Sequence, residues 1–356
     1  MIRINELEHL DVRIDDFKRS QRNFKTARAN NCLSPNFLII GAAKAGTTAL
    51  YHYLAQHPDI YMSRIKELNF FAFEGEKYNC DGLADEGGMK RYKGLRRVSV
   101  TDPEAYQIQF KGVTNQKAIG EASPMYLYNP RTAQRIHDYK SDMRLIVILR
   151  NPVDRAHSHF AQYVLRGQDH LTHFSQAIKA EDIYVPNIWW GYRHYVRLGF
   201  YYCQLQRYFD VFSPDLIKIY LFEDLKANPT RVLQDIFQFV EVDSNLVPDT
   251  STKHNQSLVA KNRTLHHSLR NLETFLRSQS SANKLLRKLL PTQVKKLGSD
   301  WRVNLGNKNL VKGKPPLPMD VRKQLTSVYR DDILKLQDLI GRDLSSWLQC
   351  NNPVDE

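Results

Sequence analysis

Apolar residues gather in three short, nearly continuous runs, Phe37 to Ile40, Leu145 to Leu149 and Leu216 to Phe222, and each run is followed by apolar positions at helical spacing. A strand that is apolar on both faces belongs in a parallel sheet with helices packed on each side. The helical stretches carry start signals. In "YLYNPRTAQRI", "LIVILRNPVDRAHSHF" and "IYLFEDLKANPTRVLQDIFQFV", an Asn-Pro pair (Asn129-Pro130, Asn151-Pro152, Asn228-Pro229) opens the helix. Asparagine caps the free first-turn N–H groups, and proline at the first helical position gives up no hydrogen bond. The alternation of strand and helix predicts a three-layer α/β fold with a central parallel β-sheet flanked by helices.

The remaining pattern divides the chain. Residues 1–33 form a polar, charged lead-in, and 34–350 read as a single domain. Within it, residues 76–116, polar and rich in glycine ("EKYNCDGLADEGGMKRYKG"), interrupt the alternation and are expected to form a flexible insertion over the sheet's rim. Residues 241–350 are mostly helical in pattern, with a polar loop at "TSTKHNQSLVAKNRT" and a final amphipathic helix from Met319 to Leu339. Ligands of parallel sheets sit at the carboxyl ends of the strands, which places Lys44, Arg150 and the Glu223-Asp224 loop along one rim.

The first strand runs into a loop that resembles a phosphate-binding turn with its lysine displaced. In "FLIIGAAKAGTTALYHYL" the two glycines, Gly41 and Gly46, keep the spacing of G-x-x-x-x-G-K-[ST], but Thr47 stands where the lysine belongs and Lys44 lies inside the loop. A strand, turn and helix in this order aims backbone N–H groups and the positive end of the helix dipole at an anion. The glycines alone do not separate that turn from an ordinary strand-to-helix connection. A triphosphatase would also need a buried strand ending in a magnesium-holding aspartate. The best such strand, "RLIVILR", ends instead in Arg150, and Ser158 lies about two turns into the helix that follows. Arg150, the helix start and Ser158 make a second candidate anion site.

Composition narrows the classes. The chain has 356 residues, 42% hydrophobic and 25% charged, as in a soluble globular protein. No apolar stretch approaches a membrane span, and Met1 to Ser34 are too charged for a signal-peptide core, so a cytoplasmic location is expected. The four cysteines, Cys32, Cys80, Cys203 and Cys350, are scattered, without C-x-x-C or zinc-finger spacing. They read as free thiols. A net charge of +13 favours anionic partners without naming one, and the cations are spread out rather than gathered into a nucleic-acid motif. "HLTH" (His170 to His173) has Asp169 beside it but no cysteine and no further histidine at metal-site spacing, and no metal site is expected.

Two anion cradles on neighbouring strand ends suit a nucleotide phosphorylated at two separate positions. The combination resembles the sulfotransferases that use 3′-phosphoadenosine 5′-phosphosulfate (PAPS), in which "KAGTTAL" looks like the 5′-phosphosulfate loop and "RNPVDRAHSHF" like the 3′-phosphate motif. "KELNFF" (Lys66 to Phe71) is similar to the acidic segment of the heparan-sulfate type and of bacterial members that tailor natural products. "GEASPMYL", "LGFYYCQLQRYFDVF", "IYLFEDLKANP" and "IGRDLSSW" also resemble family segments, so the likeness runs from Pro35 to Trp347. The chain departs from the heparan type at Ala122, which stands where a lysine usually precedes the Ser/Thr-Pro pair. "LVAKNR" only loosely matches the basic loop that closes over the nucleotide.

The resemblance implies roles. Glu67 is the base; Lys44 meets charge growing on the leaving phosphate; Lys44, Ala45, Gly46, Thr47 and Thr48 hold the 5′-phosphate. Arg150 and Ser158 hold the 3′-phosphate, with Tyr201, Lys261 and Arg263 as further nucleotide contacts. The implied donor is PAPS, with no metal, and the implied acceptor is a hydroxyl or amine of a small molecule such as an alkaloid, polyketide or glycolipid of secondary metabolism. Neither nucleic acid nor membrane is expected as a partner. On the residues alone, Glu67 also reads as a loop carboxylate paired with Lys66, and His52, His57, His157 and His159 are bases by type that no motif singles out. The aromatic stretch "YVPNIWWGYRHYVRLGFYY" supplies either acceptor walls or core packing. Two other classes remain open: a P-loop kinase, and a polyanion-binding module without chemistry.

Overall fold

The computed structural model describes residues 34–75, 99–166, 171–184, 193–252, 258–262, 265, 268, 309–313 and 315–350. The elements run β1 (Phe37–Gly41), α1 (Thr47–Leu54), β2 (Ile60–Met62), α2 (Phe70–Phe73), α3 (Pro103–Ile108), β3 (Ala118–Ala122), α4 (Met125–Tyr128), α5 (Thr132–Tyr139), β4 (Arg144–Leu149) and α6 (Pro152–Leu165). They continue with α7 (Phe174–Tyr184), α8 (Tyr201–Phe209), β5 (Ile217–Leu221), α9 (Phe222–Ala227), α10 (Pro229–Phe239), β6 (Leu258–Ala260), β7 (Leu310–Lys312) and α11 (Met319–Ile340).

β1 to β5 form one parallel sheet of five strands in the order β2-β3-β1-β4-β5, flanked by helices. β1 is buried along its whole length and β4 along all but its first residue, as their unbroken apolar runs require. β5 is an edge strand. Lys218 and Tyr220 on it both reach Asp235 of α10, at 3.2 and 2.5 Å, which clamps that helix to the edge. The expected strand from Leu216 to Phe222 is shorter at both ends: Leu216 closes a 3-10 turn, and Phe222 is the first residue of α9.

β3, with sequence AIGEA, has no apolar run, yet it is fully buried. Gly120 lies under the Phe37 ring, where a Cβ would stand 2.2 Å from the ring carbon, so only glycine lets β1 and β3 approach. Asn151 and Asn228 cap α6 and α10 as expected, accepting from Val153 N at 3.0 Å and from Arg231 N at 3.0 Å. Asn129 does not open a helix. It ends α4, accepts from Arg131 N at 2.8 Å, and donates to the Ala72 carbonyl at 2.8 Å, while α5 begins at Thr132.

Of the segment 76–116, residues 76–98 lie outside the described residues, as does the lead-in 1–33. Residues 99–116 pack against the core: the Tyr106 ring of α3 is fully buried and stacks on Phe70 at 4.3 Å. The polar loop around residue 260 contains β6, which pairs antiparallel with β7 and packs against α6. α11 lies against α6 and α8.

Candidate active site

β1 and β4 are neighbours, so the loops leaving their carboxyl ends start side by side. After Gly41 the chain folds back. Ala42 N donates to the Ile148 carbonyl of β4 at 2.7 Å, and Ala45 N closes a turn on the Ala42 carbonyl at 3.2 Å. Lys44 and Gly46 adopt left-handed backbone, with φ of 70° and 104°. Gly46 is the residue before α1, and no side chain caps the helix. The first-turn N–H groups are therefore left without a side-chain acceptor, an arrangement suited to an anion. A Cβ on Gly46 would stand 3.0 Å from Phe222 Cδ2, so sterics and φ both demand glycine here.

Phe222 connects the two cradles. Its ring lies under Gly46, and the Arg150 guanidinium sits over the same ring at 4.8 Å from the centroid. Arg150 Nη1 also donates to the Lys44 carbonyl at 3.2 Å. Tyr201, buried at the start of α8, donates its hydroxyl to the Arg150 carbonyl at 3.0 Å and fixes that backbone. Burial pulls the Arg150 guanidinium below its ordinary range, opposed by the negative charges of Asp154 and Glu223. The Glu223 carboxyl is raised by burial and pulled back by a backbone hydrogen bond and by Arg150.

The other expected residues distribute as follows. Ala45 and Thr47 are buried in the loop and first turn, and Thr48 is half-buried. Ser158 is buried within α6. Lys261 is exposed beside β6, its N–H donating to the Asn309 carbonyl at 2.7 Å, and Arg263 lies outside the described residues. Glu67 N donates to the Ala122 carbonyl at 2.9 Å, which hangs Glu67 from the carboxyl end of β3, the strand next to β1. Its side chain is 51% exposed and pairs with Lys66 Nζ at 2.9 Å. The pairing with Lys66 thus coexists with a place on the rim.

The histidines sort by burial. His57 bonds the Asp243 carbonyl at 2.9 Å and packs edge-on against Phe237. His157 packs against Phe174, and His159 lies between Tyr163 and Tyr195, so both serve the core of α6. His52 lies exposed on α1. Among the described residues, no group of three or more His, Cys, Asp or Glu side chains is placed to hold a metal. Nor is any helix among them long and apolar enough to cross a membrane.

The arrangement is a strand-end rim with a helix-start cradle, a half-buried arginine beside it and a carboxylate hung from the end of the neighbouring strand. The family model described as "Sulfotransferase domain" matches residues 34–305, a span that contains all of these features. This chain belongs to the sulfotransferase family. The sulfotransferase of Alicyclobacillus acidocaldarius superposes with a TM-score of 0.65 at 30% identity, covering 89% of this chain and 100% of that one. Among curated sulfotransferases, the membrane-associated sulfotransferase kil1 of Dictyostelium discoideum is 36% identical over 129 residues, 36% of this chain and 23% of its own length. Mouse carbohydrate sulfotransferase 15 is 26% identical over 256 residues, 59% of this chain and 44% of its own. The chain therefore spans less than half the length of these two relatives.

Sequence reasoning missed Phe222 and Glu121. Phe222 read as the last residue of a strand, and its place beneath both cradles depends on α9 starting there. Glu121 carried a signal, a carboxylate between Gly120 and Ala122 in a short apolar segment, since a charge in such a place demands buried partners.

Proposed function

We propose that this chain transfers the sulfuryl group of PAPS to a hydroxyl or amine of a small-molecule acceptor, such as a secondary metabolite, in the cytoplasm. The observation that carries the reading is the contact of the Arg150 guanidinium with the Lys44 carbonyl at 3.2 Å. It joins the two cation-bearing loops, so one adenosine phosphorylated at both ends can span them. Family membership supports the transfer chemistry, and the helix start without a side-chain cap supports a 5′-phosphate at Gly46, Thr47 and Thr48.

PAPS, when bound, supplies an activated sulfuryl group with a phosphate as leaving group. Arg150, bedded on Phe222, binds the 3′-phosphate with Ser158 and sets the register of the nucleotide. Tyr201 holds Arg150 in place through its backbone. Lys44 neutralises the charge that grows on the leaving phosphate oxygen as the sulfur–oxygen bond breaks. Such contacts contribute about 3 kcal/mol in the transition state. Glu67 accepts the proton of the acceptor as the new bond to sulfur forms in line with the leaving group. Lys66 Nζ lies 2.9 Å from the Glu67 carboxylate and orients it on the rim.

Calorimetry with adenosine 3′,5′-bisphosphate and with ATP plus magnesium tests the nucleotide: metal-independent preference for the bisphosphate is expected, and magnesium-dependent preference for ATP overturns the reading. For the base, Glu67→Gln is expected to keep bisphosphate affinity while losing about 10²- to 10⁴-fold in turnover. A fully active Gln variant removes Glu67 from the mechanism. A mass-spectrometric screen of metabolites for the gain of one sulfur trioxide unit identifies the acceptor.

A further inference from the structure

Behind the rim lies a fully buried carboxylate that the proposed chemistry does not use. Glu121, the last but one residue of β3, accepts from three hydroxyls: Tyr106 at 3.2 Å and Tyr126 at 2.5 Å on Oε1, and Ser123 at 2.7 Å on Oε2. The donors come from α3, from α4 and from the turn after β3. Lys66 is the cation that acts on this carboxylate, and the Tyr106 and Tyr126 phenols are the other titratable groups against it.

The two oxygens reach the segment of Glu67 by separate arms. Ser123 Oγ spends its one proton on Glu121, which turns its lone pairs outward, and there it accepts from Asn69 N at 2.9 Å. Asn69 Nδ2 in turn donates to the Glu67 carbonyl at 2.9 Å. On the other arm, the Tyr126 hydroxyl accepts from Phe71 N at 3.4 Å. Glu67 and Asn69 both hold left-handed backbone, with φ of 67° and 53°. Residues other than glycine persist in that region only where their surroundings over-determine them. The surroundings here are the bonds that end on Glu121.

We propose that Glu121 is the positioning residue for Glu67: through Ser123 and Asn69 it holds the left-handed turn that points the base at the rim. The inference rests on the reading of Glu67 as base. An amide here keeps one accepting oxygen and puts an NH2 group in place of the other, so it cannot accept from the tyrosine pair and from Ser123 at once. Ser123 then turns its proton away, Asn69 N loses its acceptor, and the turn relaxes. Tyr106 serves as the internal control. It bonds the same carboxylate on the other oxygen, away from the Ser123 arm, so its loss weakens the core without releasing Asn69.

The test uses the full chain and PAPS as the probe, with water as the acceptor. Glu67 takes a proton from water, the water oxygen bonds to sulfur, the bond from sulfur to the 5′-phosphate oxygen breaks, and hydrogen sulfate and adenosine 3′,5′-bisphosphate are released. Glu121→Gln and Ser123→Ala are expected to slow bisphosphate release about 10- to 100-fold with unchanged bisphosphate affinity. In both, amide exchange across residues 64–70 should rise relative to the rest of the sheet. Tyr106→Phe should lower the thermal midpoint yet keep both turnover and the exchange of that segment, and Ser123→Thr, which retains the hydroxyl, should keep turnover. Glu121→Gln with parental exchange at 64–70 overturns the inference. So does Tyr106→Phe if it loses as much turnover as Glu121→Gln, since that reports general softening of the core. Glu67→Gln run in parallel separates the two ideas: full turnover there sinks the base, while the exchange comparison still judges the turn.

Discussion

At the scale of single residues, the site depends on one aromatic ring shared by two loops. Phe222 carries Gly46 on one edge and the Arg150 guanidinium on its face at 4.8 Å, so the distance between the cradles is set by a side chain that touches neither phosphate in the proposed complex. Phe222→Leu keeps an apolar side chain but removes the π-face, worth about 0.5–1 kcal/mol to a cation. Calorimetry should therefore show adenosine 3′,5′-bisphosphate binding weakened about two- to fivefold, with the enthalpy loss centred on the Arg150 contact. Undiminished affinity would mean that the ring does not seat the guanidinium. The candidate residues themselves were readable: Lys44, Gly46, Thr47 and Arg150 carry spacing and charge that any reader of the chain can find. Phe222 and Glu121 were not, because their roles arise from what the fold brings against them, and local pattern holds no record of that. Glu67 sits between these cases. Its motif marks it, but its left-handed backbone and the bonds that sustain it appear only in three dimensions.

Elements place these residues by their ends. β1 and β4 announced themselves because an unbroken apolar run survives only in a central parallel strand, whereas β3 hid behind Gly120 and Glu121, and β2 is only three residues long. Helix starts read well where the asparagine oxygen faces the first turn of the helix that follows. Asn151 and Asn228 cap as expected, but Asn129 is drawn away by the Ala72 carbonyl and Arg131 N, a tertiary demand that the Asn-Pro pair does not reveal. α6 matters most, since it carries both Arg155 in the core and Ser158 near the second cradle. Its start is held twice: Asn151 Oδ1 accepts from Val153 N at 3.0 Å, while Asp154 pairs with Arg322 of α11 at 2.6 Å. Asn151→Ala deletes the cap and its bond to the Trp347 carbonyl and should cost about 1 kcal/mol. In a chain of this size that lowers the thermal midpoint by about 1–2 °C. Scanning calorimetry reads the shift, and a midpoint equal to the parent's would mean that the Arg322 pair holds the helix start by itself.

Across the whole molecule, buried carboxylates tie backbone turns to the rim, and this arrangement makes stability depend on pH. Glu121 anchors the turn of Glu67. Glu181 of α7 accepts from Val196 N at 2.7 Å and Arg197 N at 2.9 Å, and Asp332 of α11 accepts from Tyr202 N at 3.2 Å at the start of the helix that positions Tyr201. Burial raises each of the three to about 7, from 4.5 for the glutamates and 3.8 for the aspartate. Between those values the native state holds protons that the unfolded chain has released, so stability falls as pH rises, by up to about 1.4 kcal/mol per unit for each group. His194 acts in the opposite sense. Burial lowers it from 6.5 to about 3, and the cost of keeping it neutral grows as pH falls below 6.5. Three carboxylates against one histidine leave the downward slope in control, and above 6.5 the histidine no longer opposes it. At the acid end, Asp243, Asp249 and Asp343 are lowered by hydrogen bonds from Asn245, Ser251 and Ser345, so their stabilisation disappears as pH drops through their folded values. Guanidinium titrations should therefore place the stability maximum on the acid side of neutrality, with the steepest loss between about pH 5 and about pH 7 and little further loss above it. Glu181→Gln, remote from the proposed chemistry, should flatten that loss. A parent protein that grows more stable through this interval would show that these carboxylates are ionised at no cost in the fold, and the hydrogen bonds they accept would then outweigh their burial.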